Sequence, residues 1–292
     1  MKKVIVIVGP TASGKTGLSI KLAKALNAEI INGDSVQIYQ GLDIGAAKIK
    51  PSEQQGIKHH LLGIRDVKHP YSVYHFQQDA RKIIEEIDVP MIVGGTGLYI
   101  KAVLDDYEFS QDDEKLDLEE KFEALSNEDI YQKLIELDPL IKIDQFNRRR
   151  LIRAYELALS GDLRSRKVKK DQRLYDALIL YLDMDRNKLE DKLIKRLNSQ
   201  IEEGFIEEVN SFYRQDIHVN AIGYREIEHY LNQEITLEDA KQQIIKITRK
   251  LAKKQKTWFK NQMHPIMLDA LSTTLFEDAL KLCQDFLSKE NK

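Results

Sequence analysis

The feature that most constrains the fold is an eight-residue loop near the start of the chain, GPTASGKT. It follows five apolar residues, VIVIV, and precedes a segment with apolar residues at helical spacing. This strand–loop–helix context fits the phosphate-binding pattern G-x-x-x-x-G-K-S/T. Backbone N–H groups and the helix dipole attract an anion there, and lysine adds a positive charge. We therefore expect phosphate groups to bind at Gly9, Pro10, Thr11, Ala12, Ser13, Gly14, Lys15 and Thr16, with the Thr16 hydroxyl placed for Mg²⁺.

The rest of the apolar pattern indicates an α/β fold. Short β-branched runs that end at glycine or aspartate read as buried strands at residues 4–8, 29–31, 89–93 and 174–182. Helical patterns separate them, which is typical of a parallel sheet flanked by helices. Together with the phosphate loop, this predicts a P-loop NTPase-like core.

A charged segment interrupts this core. Residues 105–173 read as helices, at 116–125, 127–137 and 147–160, and the apolar strand pattern resumes only at residue 174. We expect a helical insertion domain over residues 105–173 and an α/β core formed by residues 1–104 and 174–292. Two long C-terminal helices are predicted, one from residue 189 to 209 that is disturbed at Gly204, and one over residues 236–259.

Charge is distributed unevenly along the 292 residues. The net charge is only −2, yet residues 105–140 contain fourteen acids and three bases, and residues 241–260 contain eight bases and no acid. Basic patches of this kind attract polyanions. No segment is long enough for a membrane span or a secretory signal, so we expect a cytoplasmic enzyme without membrane contact. The single cysteine, Cys283, excludes an internal disulfide.

The residues around the loop are unusual for an enzyme that hydrolyses ATP. The apolar run at 89–93 ends in two glycines, where such enzymes place an acid that helps to hold Mg²⁺. Asp183, after the predicted strand at 174–182, either substitutes for that acid or is a turn residue. Asp34, after the second strand, lies where open α/β sheets bind their ligands and is a candidate general base, or alternatively a turn cap. His59 and His60 are adjacent and lack a third ligand, which disfavours a metal site.

Two basic segments contain the components of RNA binding. Arg148, Arg149, Arg150 and Arg153 lie within one predicted helix, and the run TRKLAKKQKTWFK at 248–260 combines six bases with an aromatic pair. Lysine and arginine contact phosphates, and aromatic rings stack on bases. A solvated helix face, with Trp258 anchored in the core, is the alternative interpretation.

Nine segments together resemble one family, the tRNA dimethylallyltransferases (tRNA isopentenyltransferases), over nearly the whole chain. In order, they are GPTASGKT, GDSVQIYQGLDIGAAK, HHLLGI, YSVYHFQQDA, VGGTGLY, NRRRLIRAYEL, IEEGFIEEV, AIGYREIEHYL and TRKLAKKQKTWFK. The resemblance implies transfer of a dimethylallyl group from dimethylallyl diphosphate to N6 of adenosine 37, beside the anticodon of tRNAs that read codons beginning with U. It also implies Mg²⁺ as cofactor and the tRNA anticodon loop as partner, and we expect a monomer.

The resemblance also implies roles for single residues. Asp34 would be the general base, Thr96 would lie near the reacting adenine, and Lys15, Thr16 and Arg196 would act on the diphosphate. Thr11 to Thr16 would hold that diphosphate. The blocks that contact tRNA would supply Asp34, Ser35, Val36, Gln37, Thr96, Arg149, Arg150, Arg153, Gly223, Tyr224, Arg225, Lys253, Lys254, Gln255 and Trp258.

The chain departs from the family pattern at a few positions. GAAKI stands at 45–49 where the family usually has GTAKP, Gln200 replaces a usual methionine, and the last basic block has fewer arginines. The zinc-finger pattern of eukaryotic members does not occur, so the resemblance is to the bacterial type. Three alternatives remain: an adenylate isopentenyltransferase that modifies AMP or ATP, a P-loop small-molecule kinase, and an RNA-binding protein without activity.

Overall fold

The computed structural model describes residues 1–107, 122, 124–166 and 172–289. The chain divides into two compact units, one formed by Met1–Leu104 with Leu174–Lys292 and the other by Asp105–Arg173. Most of the helix expected at 116–125 lies outside the described residues. Among the described residues, no helix is both long and apolar enough to cross a membrane.

The first unit is built on a six-stranded sheet in the order β3-β2-β4-β1-β5-β6. All neighbouring strands run parallel, which confirms the predicted fold class. The β1 strand lies centrally between β4 and β5. The strands are β1 (Lys3–Val8), β2 (Glu29–Asn32), β3 (His59–His60), β4 (Pro90–Gly94), β5 (Asp176–Asp183) and β6 (Ile266–Asp269).

Helices cover both faces of this sheet. In chain order, the α-helices of the described ranges are α1 (Lys15–Leu26), α2 (Val73–Glu86), α3 (Gly97–Leu104), α4 (Asn127–Leu137), α5 (Arg148–Leu159), α6 (Arg186–Glu202), α7 (Phe205–Tyr213), α8 (Tyr224–Leu231), α9 (Leu237–Met263) and α10 (Leu275–Ser288). Of these, α4 and α5 belong to the second unit.

The alternation of side chains along β1 creates two cores. Val4, Val6 and Val8 face one side of the sheet, where they join a fully buried cluster with residues of α2, α3 and α9. Ile5 and Ile7 face the other side and pack with α1 and α10, in a cluster that also buries Cys283. Because a strand has a period of two residues, a continuous apolar run supplies both faces, as expected for a buried parallel strand.

Local signals set the helix ends. Gly14, with φ 90°, precedes α1, and Asn27, with φ 51°, ends it. Gly204, with φ 102°, separates α6 from α7, so the helix expected to be disturbed at this glycine is two helices. The α9 helix starts where Thr236 accepts a hydrogen bond from the Asp239 N–H, and it runs four residues past the predicted end, to Met263.

The second unit has its own small core. Ile130 and Leu134 of α4 pack on Leu151 and Ile152 of α5. Ser126 caps α4 and Asn147 caps α5. This unit therefore buries apolar residues from both of its described helices, even though much of its surface is charged.

Candidate active site at the carboxyl edge of the sheet

The phosphate loop connects the end of the central strand to α1, as its sequence pattern predicts. Ala12 and Gly14 have positive φ, which curls the backbone around the N-terminus of the helix. Ser13 is buried, and its Oγ atom has no hydrogen-bond partner within the described part of the chain. Thr16 is exposed in the first turn of α1. A buried hydroxyl without a partner is costly, so this loop fits an anion that would accept its hydrogen bond.

Lys15 lies across its own loop. Its Nζ atom donates to the carbonyl oxygens of Gly9, at 2.9 Å, and Pro10, at 2.8 Å. Burial lowers the pKa of Lys15 to about 8, Asp34 opposes this shift and Arg196 adds to it. The charge of Lys15 therefore interacts with the Asp34 carboxylate and with the Arg196 guanidinium.

Asp34 follows β2 and is held in a tight turn. Its Oδ1 atom accepts a hydrogen bond from the Val36 N–H at 2.9 Å. The buried Asn32 side chain supports the turn, since its Oδ1 accepts from the Asp34 N–H and its Nδ2 donates to the Asp34 and Leu61 carbonyl oxygens, each at 3.0 Å. Both interpretations of Asp34 are compatible with this geometry, because one oxygen caps the turn while the described residues give Oδ2 no hydrogen bond.

Thr96 connects the end of β4 to the Asp34 turn. Its N–H donates to the Gly33 carbonyl at 3.1 Å, and its Oγ1 accepts from the Ser35 N–H at 3.1 Å. The two strand ends lie so close that a Cβ on Gly94 would be 2.1 Å from Gly33 backbone atoms. Gly94, the last residue of β4, therefore has a packing reason, and Thr96 is fixed beside Ser35 and Asp34.

Arg196 of α6 lies in the same region. Burial lowers the pKa of its guanidinium, and the attraction of Asp34 opposes this shift. Arg196, Asp34 and Thr11 line one pocket of about 150 Å³. The other walls of this pocket are mostly apolar and come from α6 to α9 and the loop after β2: Val36, Gly45, Ala46, Leu193, Leu197, Gln200, Phe205, Ile222, Gly223, Tyr224, Ile244, Ile245, Thr248 and Leu251.

The loop at 43–46 is a pocket wall that sequence patterns did not reveal. Glu208 of α7 accepts hydrogen bonds from the N–H groups of Asp43, Ile44 and Gly45, at 3.0, 2.7 and 3.0 Å. Gln200 donates to the carbonyl oxygens of Ile44 and Gly45. Local spacing assigns neither residue a role in this wall, because the groups they bind are more than 150 positions away in the sequence.

Several residues expected to contact tRNA instead face the protein. Tyr224 is 1% exposed, and its hydroxyl donates to Glu208 at 2.6 Å, so its side chain supports the pocket wall. Gln255 donates to the Gly95 carbonyl at 2.8 Å. Trp258 is partly buried against α3, where a Cβ on Gly97 would lie 2.3 Å from its ring. The core interpretation of Trp258 therefore fits this packing.

Other basic residues of the first unit are open to solvent. Lys253, Lys254 and Arg225 are exposed. Lys256 makes an ion pair with Asp183, with Nζ 2.7 Å from Oδ2, so a lysine already neutralises the acid that could have substituted in a Mg²⁺ site. A wider groove, of about 1030 Å³, reaches the phosphate loop at Pro10, and its basic lining residues are Arg186, Lys246, Arg249, Lys250, Lys253 and Lys256.

In the second unit, the arginines of α5 divide into two kinds. Arg148 donates to the Leu125 carbonyl, the Asn127 side chain and the Phe122 carbonyl, at 2.6 to 3.0 Å, and so it holds the unit together. Arg153 pairs with Glu156 at 3.1 Å. Arg149 and Arg150 are exposed. Phe146, just before the helix, is 94% exposed and is an aromatic side chain that no sequence motif singled out.

The side chains near the phosphate loop suit a cation that binds through oxygen and has few protein ligands. Within the described ranges, no group of three or more His, Cys, Asp or Glu side chains is arranged to hold a metal ion, and the first turn of α1 contains no acid. Mg²⁺ often binds through one or two protein oxygens together with substrate phosphates and water. The Thr16 hydroxyl fits this mode, provided that a bound phosphate group supplies further ligands.

Comparison with known proteins gives a consistent result. The family model described as "IPP transferase" matches residues 37–262. The chain is 50% identical to the tRNA dimethylallyltransferase of Acholeplasma laidlawii, over 98% of this chain and 99% of that one. The crystal structure of tRNA delta(2)-isopentenylpyrophosphate transferase from Staphylococcus epidermidis is 36% identical, with a TM-score of 0.74 and coverage of 99% and 100%. A eukaryotic dimethylallyltransferase, solved acting on tRNA, is 27% identical, with a TM-score of 0.86 and coverage of 99% and 80%.

Proposed function

The chain belongs to the IPP transferase family of tRNA dimethylallyltransferases, and from this premise we propose that it transfers a dimethylallyl group from dimethylallyl diphosphate to N6 of adenosine 37 in tRNAs that read codons beginning with U. The observation that supports this best is the grouping of one carboxylate, Asp34, with two cations, Lys15 and Arg196, beside a phosphate loop and a small, mostly apolar pocket.

Asp34 is the general base of the proposed reaction. The exocyclic amine of adenine is a poor nucleophile, because its lone pair is conjugated with the ring, and removal of its proton during attack helps the reaction. The Asx turn through Oδ1 fixes the carboxylate, while Oδ2 remains to accept that proton. Thr96 fixes the neighbouring Ser35 backbone and so maintains the position of this turn.

The cations act on the leaving group. As the allylic C–O bond breaks, negative charge grows on the diphosphate, and Lys15, Arg196 and the loop N–H groups stabilise it. The allylic carbon tolerates positive charge because the charge is delocalised over the double bond. Residues Gly9 to Thr16 hold the diphosphate. Its release breaks a carbon–oxygen bond and needs no phosphoryl transfer, which agrees with glycines in place of an acid at the end of β4 and with the ion-paired Asp183.

Mg²⁺ is the proposed cofactor. Thr16 would hold it together with the diphosphate oxygens, and a bound Mg²⁺ ion supplies positive charge to the leaving group. The protein groups named above bind and orient the donor, and Asp34 accepts the proton from the adenine amine.

The proposed tRNA surface is narrower than the sequence blocks suggest. Lys253, Lys254 and Arg225 of the first unit and Arg149 and Arg150 of the second are exposed and can neutralise phosphates. Ser35, Val36 and Gln37 lie beside Asp34 and are placed to contact the nucleotides around the reacting base. The adenine leaves its stack at a cost of a few kcal/mol. We place the enzyme in the cytoplasm, with its tRNA substrate, as a monomer.

Competition between acceptors separates this proposal from its nearest rival, transfer to a free adenine nucleotide. The purified protein is incubated with Mg²⁺, labelled dimethylallyl diphosphate and equal concentrations of unmodified tRNA and AMP. We expect the label in tRNA alone. Label in AMP would favour the adenylate prenyltransferase. In a separate incubation with labelled ATP, phosphate transfer to a small molecule would favour the kinase.

A further inference from the structure

Phe146 of the second unit leaves an aromatic ring in solvent. At 94% it is the most exposed large apolar side chain among the described residues. A phenylalanine ring carries a large apolar surface and gains more than most side chains from a contact. Single exposed apolar side chains are common, so exposure alone does not indicate a partner. The structure around the ring is more specific.

Phe146 does not make the contact that is usual at its position. It directly precedes Asn147, the N-cap of α5. An apolar residue there commonly packs on the fourth residue of the helix, which is Leu151 in this chain. Leu151 is fully buried in the core of the unit, whereas Phe146 is almost fully exposed. The ring is therefore available to a partner outside the unit.

The loop that carries Phe146 is anchored on both sides of the ring. Before it, the Asn127 side chain donates to the Gln145 carbonyl at 3.0 Å, and the Phe146 N–H donates to Asp144 Oδ1 at 3.0 Å. After it, Arg148 donates to two backbone carbonyls of the segment before α4. These bonds fix the backbone, so the ring is presented to solvent by a structured loop.

The charge around the ring is positive. Residues 141–153 contain five bases and one acid. Arg149 and Arg150, the second and third residues of α5, are exposed. Four residues of chain reach at most about 14 Å, so Phe146 and both guanidinium groups can contact the same ligand. This surface therefore suits an anionic partner that also has an apolar face.

An unpaired nucleotide has both of these properties. Aromatic side chains stack on the faces of unpaired bases, and arginines bind the phosphates beside them. In a paired helix the base faces are covered by neighbouring pairs, and a ring has no base face to stack on. A protein partner would need acidic side chains opposite the two arginines as well as an apolar contact for the ring.

We propose that Phe146 stacks on an unpaired base of the tRNA while Arg149 and Arg150 bind the adjoining phosphates. The inference rests on the proposed function, which already gives phosphate contacts to the two arginines, and it adds the contact to a base. The second unit then recognises unpaired RNA and not charge alone.

Binding of an unmodified tRNA transcript to the full-length protein, without donor, tests this inference. Phe146→Ala should weaken binding about 5- to 100-fold, the range for one stacked base. It should leave the slope of log K against log salt unchanged, whereas Arg149→Ala/Arg150→Ala should reduce that slope by about one to two units. Because the ring is almost fully exposed, its replacement should not affect folding. Wild-type affinity in Phe146→Ala would overturn the inference.

Two further variants separate stacking from a general apolar contact. Phe146→Trp keeps an aromatic ring and should bind tRNA as the wild type does, whereas Phe146→Leu keeps only apolar surface and should bind weakly. Leu159→Ala is the matched control, because Leu159 is 59% exposed at the other end of α5, and its affinity should be unchanged. Wild-type affinity in Phe146→Leu would contradict stacking.

A fully paired RNA duplex is the second probe. Phe146→Ala should bind this duplex as the wild type does, because its bases are already stacked. An equal loss of affinity for duplex and tRNA would contradict the contact to an unpaired base. Sedimentation measures self-association in parallel. A change in oligomeric state in Phe146→Ala, with unchanged tRNA affinity, would assign the ring to a second copy of the chain and overturn the inference.

The outcomes separate this inference from the proposed function. Weaker tRNA binding by Phe146→Ala, together with no transfer of label by the wild type, would contradict the proposed function and leave the inference standing. Transfer of label to tRNA, with equal tRNA affinity and kcat/KM for the wild type and Phe146→Ala, would support the proposed function and contradict the inference.

Discussion

The Thr96 hydroxyl makes two hydrogen bonds to Ser35. It accepts a hydrogen bond from the Ser35 N–H at 3.1 Å and donates to Ser35 Oγ at 3.3 Å. This pair connects the loop after β4 to the turn that contains Asp34, across the point where two parallel strands end. Because Thr96 and Asp34 are 62 positions apart in the sequence, only the sheet brings them together.

Removal of the Thr96 hydroxyl should therefore slow the reaction by loosening the Asp34 turn. We expect Thr96→Val, which has nearly the same shape, to lower kcat about 5- to 100-fold, as the partly buried Ser35 N–H loses its acceptor. Thr96→Ser keeps the hydroxyl and should recover most of the rate. Single-turnover kinetics with saturating donor measures the effect. A valine variant with wild-type kcat would show that this contact does not position the base.

Asp34→Asn should remove the base without disturbing its turn. The asparagine oxygen can still accept the Val36 N–H, whereas the amide cannot take a proton from the adenine amine. We expect the chemical step to fall by roughly 10²- to 10⁴-fold, with little change in the affinity for dimethylallyl diphosphate. Rapid-quench single turnover and calorimetry measure the two quantities. A variant that keeps its full single-turnover rate would exclude Asp34 as the base.

Donor affinity should depend on pH through Lys15. Burial lowers the pKa of this lysine from 10.5 to about 8, so its positive charge is lost as the pH rises through 8 in the free protein. The diphosphate is already ionised at that pH, and its affinity should then decrease, by up to about tenfold per pH unit. Lys15→Arg is the control, because arginine stays protonated. Calorimetry between pH 7 and pH 9.5 checks this, and an affinity in the wild type that is flat over the range would contradict it.

Lys253 and Lys254 should contribute to tRNA binding through phosphates. The double variant Lys253→Ala/Lys254→Ala should weaken tRNA binding and reduce the slope of log K against log salt by about one to two units. Lys281→Ala is the control, since Lys281 is an exposed lysine on α10, the last described helix of the chain. Filter binding over a salt series measures the slope. Equal slopes for the double variant and the wild type would place the tRNA backbone elsewhere.

The parts of this structure that could be predicted from the sequence are those with local signals. The phosphate loop has a fixed spacing, and the apolar residues after it predicted a helix, which begins after Gly14 and ends at Asn27, where both residues adopt positive φ. The apolar runs predicted four of the six strands, each to within about two residues. Gly204 was a visible break, although only the structure shows that two separate helices meet there.

The remaining features depend on contacts between distant segments. The β3 strand has two residues, too few for a periodic pattern. Both β3 and β6 are edge strands, and each pairs with a single neighbour, β2 or β5. Gln200 and Glu208 look like ordinary helix residues until the fold brings the loop at 43–45 to them. Asn32 has a local signal, because an asparagine side chain often accepts a hydrogen bond from the N–H group two residues later in an Asx turn, here that of Asp34.

The most direct test of the central claim is the position of the label in tRNA. Transcribed tRNA with adenosine at position 37, and a matched transcript with guanosine there, are incubated with the protein, Mg²⁺ and labelled dimethylallyl diphosphate, and the digested nucleosides are analysed by mass spectrometry. We expect one N6-dimethylallyladenosine per adenosine-37 tRNA and no label in the guanosine-37 transcript. Equal labelling of both transcripts, or no label in either with folded protein, would contradict it.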